Sequence, residues 1–422
     1  MLSNKIKNPA VDHARKNSFE PTKTLSFRSL LHNRRFRLNV FFFIISNVLL
    51  YVVILNLHGL VAFNRYEYLV DAHHFYTDGR LYQPSSFNMF RSLGQYDAQY
   101  YLEIAATGYH KIVLPLPRLL NQRAVLNTLS YAYLPAYPAI VALVNVFIRS
   151  PEISAFVVSQ ILMLMGFCLV YWLVAKWFTP QLATKTSWLV FLYPFSIFYR
   201  SYFSEGLFLV LLVVLLDNLL TKRWLATAIA AGALSVTRLI GFVGVIILFW
   251  RLMIEHQKHA IKLSFVALIV FLALLPLLVF ITICYYQTGN PFYFLAVHSN
   301  WYMPQPPIYA FFWSVAHFKT LPWDLFHHSR LDVLSIIVFG ILIVYSRNWL
   351  PKPWWYVSLL LWLIPVLTLD TMSASRYQII NLPVFIYVAH MLPKRSYLFT
   401  ITCCAIVLCI VAILFVNWVW IG

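Results

Sequence analysis

Apolar residues in this chain fall into long, nearly unbroken runs, each close to the length that crosses a bilayer as a helix. The first is Leu38 to about Leu57, and others lie near 131–149, 153–175, 184–201, 203–220, 224–250 and 261–283. Four more follow near 331–346, 354–370, 377–392 and 398–420. This pattern predicts an all-α polytopic membrane protein. Counting each run once gives about eleven crossings, within a range of about ten to thirteen. Two long polar intervals interrupt the runs, at about 62–130 and about 285–330. Within the first, the pattern around Tyr100–Ala106 predicts a helix lying along the interface.

Charge orients these elements. Residues 1–37 carry Lys5, Lys7, Arg15, Lys16, Lys23, Arg28, Arg34, Arg35 and Arg37, which predicts a cytosolic tail ahead of a single membrane body over 38–422. Both long polar intervals then face outward, while Arg251–Lys262, Arg347–Lys352 and Lys394–Arg395 face the cytosol. Lys222-Arg223 breaks the rule, because single crossings leave this pair outside. Breaking the run 224–250 at Thr237-Arg238, as two half-helices or a re-entrant pair, changes that parity.

Composition agrees, with 61% hydrophobic and 11% charged residues. The formal charge of +18 comes from 32 Lys and Arg against 14 Asp and Glu. Cytosolic loops that meet anionic membrane lipids account for that excess, and no nucleic-acid partner is needed. Trp354, Trp355 and Tyr356 bunch at a span end, as headgroup anchors do. The five cysteines sit inside apolar runs, with neither a disulfide framework nor metal spacing.

A charge at membrane depth costs about 2.5–3.5 kcal/mol on insertion scales, so each one needs a cavity or a partner. Asp97, Glu205, Arg238 and Arg376 need such a reason. Asp97, among tyrosines in Phe87–Tyr109, can accept a proton from a hydroxyl or cap the helix that follows it. Glu205 opens a run as a first-turn acid would. Arg238 interrupts a small-residue helix. Arg376 could hold a phosphate as a fork or snorkel to the interface. The pairs His73-His74 and His327-His328 lack the companions of a metal site; a divalent metal is allowed by the sequence and not required. No phosphate-cradling loop, nucleophile triad or nucleotide fingerprint is present.

The stretch Tyr96-Asp97-Ala98-Gln99-Tyr100-Tyr101-Leu102-Glu103-Ile104-Ala105-Ala106-Thr107-Gly108-Tyr109 resembles the WD-x-x-[WY]-[YF]-x-x-IA-x-x-GY signature of the GPI mannosyltransferase II (PIG-V) family. Further segments resemble that family's elements in the same order. They are Ala132–Pro138, Tyr193–Glu205, Thr237-Arg238 with Gly241, Gly289-Asn290-Pro291 with Phe294, and Ser375-Arg376-Tyr377 with Pro383. Tyr96 replaces the usual Trp, and Asn290 replaces an Asp. The resemblance spans about residues 38–392.

It implies a GT-C fold and transfer of a sugar, usually mannose, from a polyprenyl- or dolichyl-phosphate donor to an extracytoplasmic lipid or glycan acceptor. Asp97 is then the base and the transfer inverts. Arg238 and Arg376 meet the phosphate charge, and Glu205 orients the acceptor or supports Asp97. Tyr96, Arg91, Ser204 and Tyr377 complete the substrate-binding set, and Glu103, at a variable position, falls on a solvated face. The rival expectation is a transporter or lipid flippase without chemistry, and a third is a noncatalytic subunit of a transferase complex. No Asn-x-Ser/Thr sequon occurs, which leans toward a prokaryotic plasma membrane over the endoplasmic reticulum.

Overall fold

The computed structural model describes residues 27–71, 87–112, 128–300, 309–321, 329–368 and 373–421. Every regular element among them is helical. The longer helices are α1 (Arg34–Leu57), α2 (Asp97–Thr107), α3 (Ala136–Ile148), α4 (Pro151–Trp177), α5 (Pro180–Leu192), α6 (Glu205–Thr221) and α7 (Trp224–Ser235). They continue with α8 (Val243–Gln257), α9 (Leu263–Thr288), α10 (Arg330–Ser346), α11 (Lys352–Thr368), α12 (Leu382–Met391) and α13 (Lys394–Val416).

Five helical stretches are long and apolar enough to cross a membrane: Arg34–Leu60, Pro151–Trp177, Leu239–Gln257, Leu263–Thr288 and Lys394–Val416. Their outward faces are apolar as well, with Phe41 and Val48 of α1 and Leu268 and Phe271 of α9 exposed. A helix satisfies its own backbone, so lipid can cover such a face without stranding a polar group. The chain is an all-α membrane protein.

Local sequence sets the turns. Asn33 caps α1 by accepting from the Arg35 and Phe36 amides, and Thr179 caps α5 ahead of Pro180. Arg149 takes a left-handed conformation at the end of α3, and Ser150 then caps α4 ahead of Pro151. That compact turn folds α3 back along α4.

Side-chain pairings give each helix a direction. The Tyr51 hydroxyl donates to Gln160 at 2.9 Å and Phe43 stacks on Phe167 at 4.1 Å, so α1 and α4 run antiparallel. α6 runs parallel to α4, from Gly206 beside Leu162 to Asp217 beside Lys176. α10 and α11 are antiparallel, with the Trp362 indole donating to the Ile336 carbonyl and that of Trp355 to Ile343. α13 rises from Tyr397, bonded to Lys185, to Asn417, bonded to His58.

The run 224–250 is not one span. Chain direction reverses at Val236–Arg238. A Cβ on Gly244 would lie 3.2 Å from the Ala231 backbone, and Lys222 pairs with Glu255 at 2.8 Å at the far end of the same two helices. α7 and α8 are therefore an antiparallel hairpin with Arg238 at its tip. Gly241 makes the turn possible, since a Cβ there would stand 2.0 Å from the Leu234 carbonyl oxygen.

The run 131–149 differs in another way. α3 starts with the Ala136 amide bonded to the Val236 carbonyl at the hairpin tip, then runs antiparallel to the first turns of α4 (Tyr137 to Ser159, Asn145 to Ser154). It occupies one half of the molecule and does not traverse it. The hairpin also moves Lys222-Arg223 to the end that carries Arg34–Arg37, Arg251–Lys262, Arg347–Lys352 and Lys394–Arg395. The anomaly in the charge pattern disappears.

Two further expectations are corrected. α2 does not lie on a surface: Ala98 through Ala105 are all buried, because α2 packs into α3 and α4. Trp354 is fully buried, its indole bonded to the Leu216 carbonyl, so it belongs to the core and not to a headgroup belt.

Candidate active site

At the end opposite the basic connectors, two helix starts, a hairpin tip and a short helical turn meet. Asp97 is the first residue of α2, Glu205 the first of α6, Arg238 the hairpin tip, and Arg376 lies in the short helical turn Ala374–Tyr377. Backbone geometry aims Asp97. The preceding residue, Tyr96, has φ 51° and ψ −127° and caps α2 without a side-chain bond. A non-glycine residue held there costs on the order of 1–3 kcal/mol, a strain that persists only where packing enforces it. Trp418 and Trp420 supply that packing, with ring centroids 5.0 and 4.7 Å from Tyr96.

The four charges form one network. Glu205 Oε1 accepts from Arg238 Nη1 at 2.6 Å, Arg376 Nη2 at 2.8 Å and Arg376 Nε at 2.9 Å. Arg376 Nη1 donates to Asp97 Oδ2 at 3.0 Å, and the Tyr133 hydroxyl donates to Asp97 Oδ1 at 3.0 Å. Two carboxylates and two guanidinia balance. That balance is how buried charge is tolerated, because an unpaired ion at this depth would cost several kcal/mol.

Accessibility separates the four. Side-chain exposure is 1% for Glu205, 3% for Arg376 and 12% for Arg238, against 30% for Asp97. Arg376 is boxed in by Phe198, Phe203 and Trp420, at 4.2, 4.7 and 5.7 Å from its guanidinium carbon, and Arg238 lies over the Tyr377 ring at 5.4 Å. Burial, and the Asp97 carboxylate beside it, push the Tyr133 phenol well above its usual range, so it donates as a neutral hydroxyl. Its ring stacks on Tyr100 at 4.5 Å and meets Tyr101 edge-on.

No protein-family model, curated protein or solved structure matches the chain. The chemistry of the site therefore stands on its own geometry.

Among the sequence candidates, Asp97, Glu205, Arg238, Arg376 and Tyr377 come together. Asp97 is not a cap, since its oxygens are taken by Tyr133 and Arg376. Arg376 is buried and does not snorkel. Ser204 lies beside Glu205 and shares a 3.0 Å hydrogen bond with the Tyr101 hydroxyl, while Tyr96 acts through its backbone and its packing. Arg91 stands apart, half-exposed and 3.6 Å from Glu152. Glu103 is not solvated: it is 1% exposed and receives the Thr107 hydroxyl at 3.2 Å, with His110 at 3.3 Å. Among the described residues no group of His, Cys, Asp and Glu could hold a metal ion, and both His pairs lie outside them.

Sequence reasoning missed Tyr133, Trp420 and Arg200. Tyr133 lies inside the segment Ala132–Pro138, but nothing in one sequence brings its hydroxyl to Asp97. Arg200 is buried and donates to Asn47 Oδ1 at 2.7 Å and to the Ser196 and Phe191 carbonyls, tying α1 to the turn after α5. An arginine in Tyr199-Arg200-Ser201, inside an apolar run, was signal enough to single it out.

Proposed function

We propose that the protein is a membrane glycosyltransferase that moves a sugar, mannose in the reading that fits best, from a polyprenyl- or dolichyl-phosphate to an extracytoplasmic lipid or glycan acceptor. The observation that carries this is the network's solvent-reachable carboxylate, Asp97, held by Arg376 and Tyr133 at the end of the molecule away from the basic connectors. By the positive-inside rule the basic end is cytosolic, and the site is then extracytoplasmic. Nucleoside triphosphates and nucleotide sugars do not reach that side, so the sugar arrives already activated on a lipid.

Five of the six segments that resemble the mannosyltransferase family in sequence supply the network and its immediate neighbours: Tyr96–Tyr109, Tyr133, Phe198 to Glu205, Arg238 and Arg376-Tyr377. That convergence favours a GT-C-type arrangement. α1 and α4 through α13 then make eleven crossings (1 + 10), counted from the helix directions with α3 as a half-depth element.

In the reaction Asp97 takes the proton of the acceptor hydroxyl as its oxygen bonds to the anomeric carbon. The bond from that carbon to the lipid phosphate oxygen breaks on the opposite face, and the phosphate leaves with the electron pair. Arg238, at the hairpin tip and partly exposed, meets the developing phosphate charge. Arg376 is too buried to touch substrate and serves to hold Asp97, and Glu205 holds Arg376 in turn through Oε1.

The test is direct. Purified protein incubated with radiolabelled polyprenyl-phosphate-mannose and a crude lipid and glycan extract from its host should move label to an acceptor. Movement of the labelled lipid across a vesicle bilayer, with the sugar still attached, would favour the flippase that the charged hairpin tip also fits.

A further inference from the structure

We propose that Trp420, in the segment after α13, is a substrate-binding residue whose indole N–H donates to a ligand oxygen at the Asp97 site. The inference rests on the transferase reading only for the class of ligand. α13 ends at Val416, and the chain then turns back through Trp418, whose φ is 59°. The Asn417 amide side chain holds the His58 carbonyl, the Asn64 amide donates to the Asn417 carbonyl, and Gln95, two residues before Asp97, donates to the Val416 carbonyl at 3.1 Å. This path lays Trp420 between Tyr96 and Arg376, so one ring touches both the residue that aims Asp97 and the cation that binds it.

Trp420 is nine-tenths buried, yet its Nε1 has no hydrogen-bond partner among the described residues. A buried N–H without an acceptor costs about 1–3 kcal/mol. For packing and cation–π contact alone, a phenylalanine would avoid that cost. Glu205 Oε2 is likewise buried and without a partner, and Glu205 also binds Arg376. The site thus offers one unmatched donor and one unmatched acceptor on groups in contact with the same guanidinium. A sugar hydroxyl complements both; a phosphate oxygen complements the donor.

The experiment compares the full chain with two altered forms, Trp420→Phe and the chain carrying β-(3-benzothienyl)alanine at position 420. The latter replaces the N–H with sulfur at nearly constant ring size. Affinity is read as the ligand-induced shift in unfolding midpoint, with a polyprenyl phosphate and octyl mannoside as separate probes. The expected result is about tenfold weaker binding of one probe by both altered forms, the equivalent of about 1.4 kcal/mol for one hydrogen bond. Loss confined to the phosphate probe assigns a phosphate oxygen; loss confined to the mannoside assigns a hydroxyl. Without ligand, the benzothienyl form should unfold at or above the wild-type midpoint, because no protein bond was removed.

A lower midpoint without ligand, or unchanged affinity for both probes, overturns the assignment of Trp420. Failure of either probe to bind the wild-type chain refutes the transferase reading and the ligand class named with it, while the midpoint without ligand still decides whether the N–H holds a structural bond.

Discussion

Glu205→Gln is the sharpest structural perturbation available, because a single carboxylate oxygen serves two guanidinia in a site that water barely reaches. With it neutralised, Arg376 keeps Asp97 while Arg238 loses its carboxylate, leaving one net positive charge in the network. Breaking a buried pair from one side costs about 3–5 kcal/mol, most of it the stranded charge and not the lost hydrogen bonds. Charge-assisted bonds contribute roughly 1.5–3 kcal/mol apiece, but the three onto Oε1 share one charge and do not add. An expected loss of about 3–5 kcal/mol is a large part of the stability of a typical domain. Unfolding in detergent is commonly irreversible, so the assay is inactivation half-life and apparent midpoint at fixed scan rate. Glu205→Gln combined with Arg238→Gln restores the balance of charge around Arg376. The double variant should therefore be more stable than Glu205→Gln alone, with a coupling of about 0.5–3 kcal/mol. A Glu205→Gln protein within about 0.5 kcal/mol of wild type, with effects that simply add, would refute the network as drawn.

Other expectations follow from the same geometry. Tyr133→Phe removes one bond to the Asp97 carboxylate, worth about 1.5–3 kcal/mol, and should slow transfer by about tenfold or more while the midpoint of unfolding moves little; a wild-type rate would remove Tyr133 from the site. Gly241→Ala places a methyl where the Leu234 carbonyl oxygen stands, 2.0 Å away, so the hairpin turn must shift. We expect poor yield or an inactive protein, and normal activity would contradict the reversal at Val236–Arg238. In a cysteine-less background, Arg223→Cys should react with a membrane-impermeant maleimide from the cytosolic side only and Arg149→Cys from the other side only; labelling of both from one side would overturn the helix directions.

The all-α character and the five stretches long and apolar enough to cross were readable in the sequence, because lipid demands long apolar runs with self-satisfied backbone and leaves little room for alternatives. Apolar content marks what is buried in lipid or protein but not whether the chain turns, so the sequence left 224–250 open between one span and a pair broken at Thr237-Arg238, and Gly241 lets it double back there. For the same reason α3 looked like a span although it packs at half depth. At the site, the cost of charge in an apolar setting picked out Asp97, Glu205, Arg238 and Arg376 one at a time, and the structure places them in one network. What could not be read was partnership. Trp420 lies 323 positions from Asp97 (420 − 97) and Arg376 lies 279 away, and nothing local in either stretch announces the contact. Glu103 shows the reverse error: a variable position in a motif read as solvated, where the fold buries it.

The central claim is that Asp97 performs chemistry, and Asp97→Asn tests it with the least disturbance, because an amide oxygen can still accept from Tyr133 or Arg376. Sugar transfer from radiolabelled polyprenyl-phosphate-mannose should be measured for wild type and Asp97→Asn at matched purity and with unfolding midpoints recorded for both. A well-folded Asp97→Asn protein that binds the lipid donor and transfers no measurable sugar is the predicted outcome. Transfer at a near wild-type rate would contradict it.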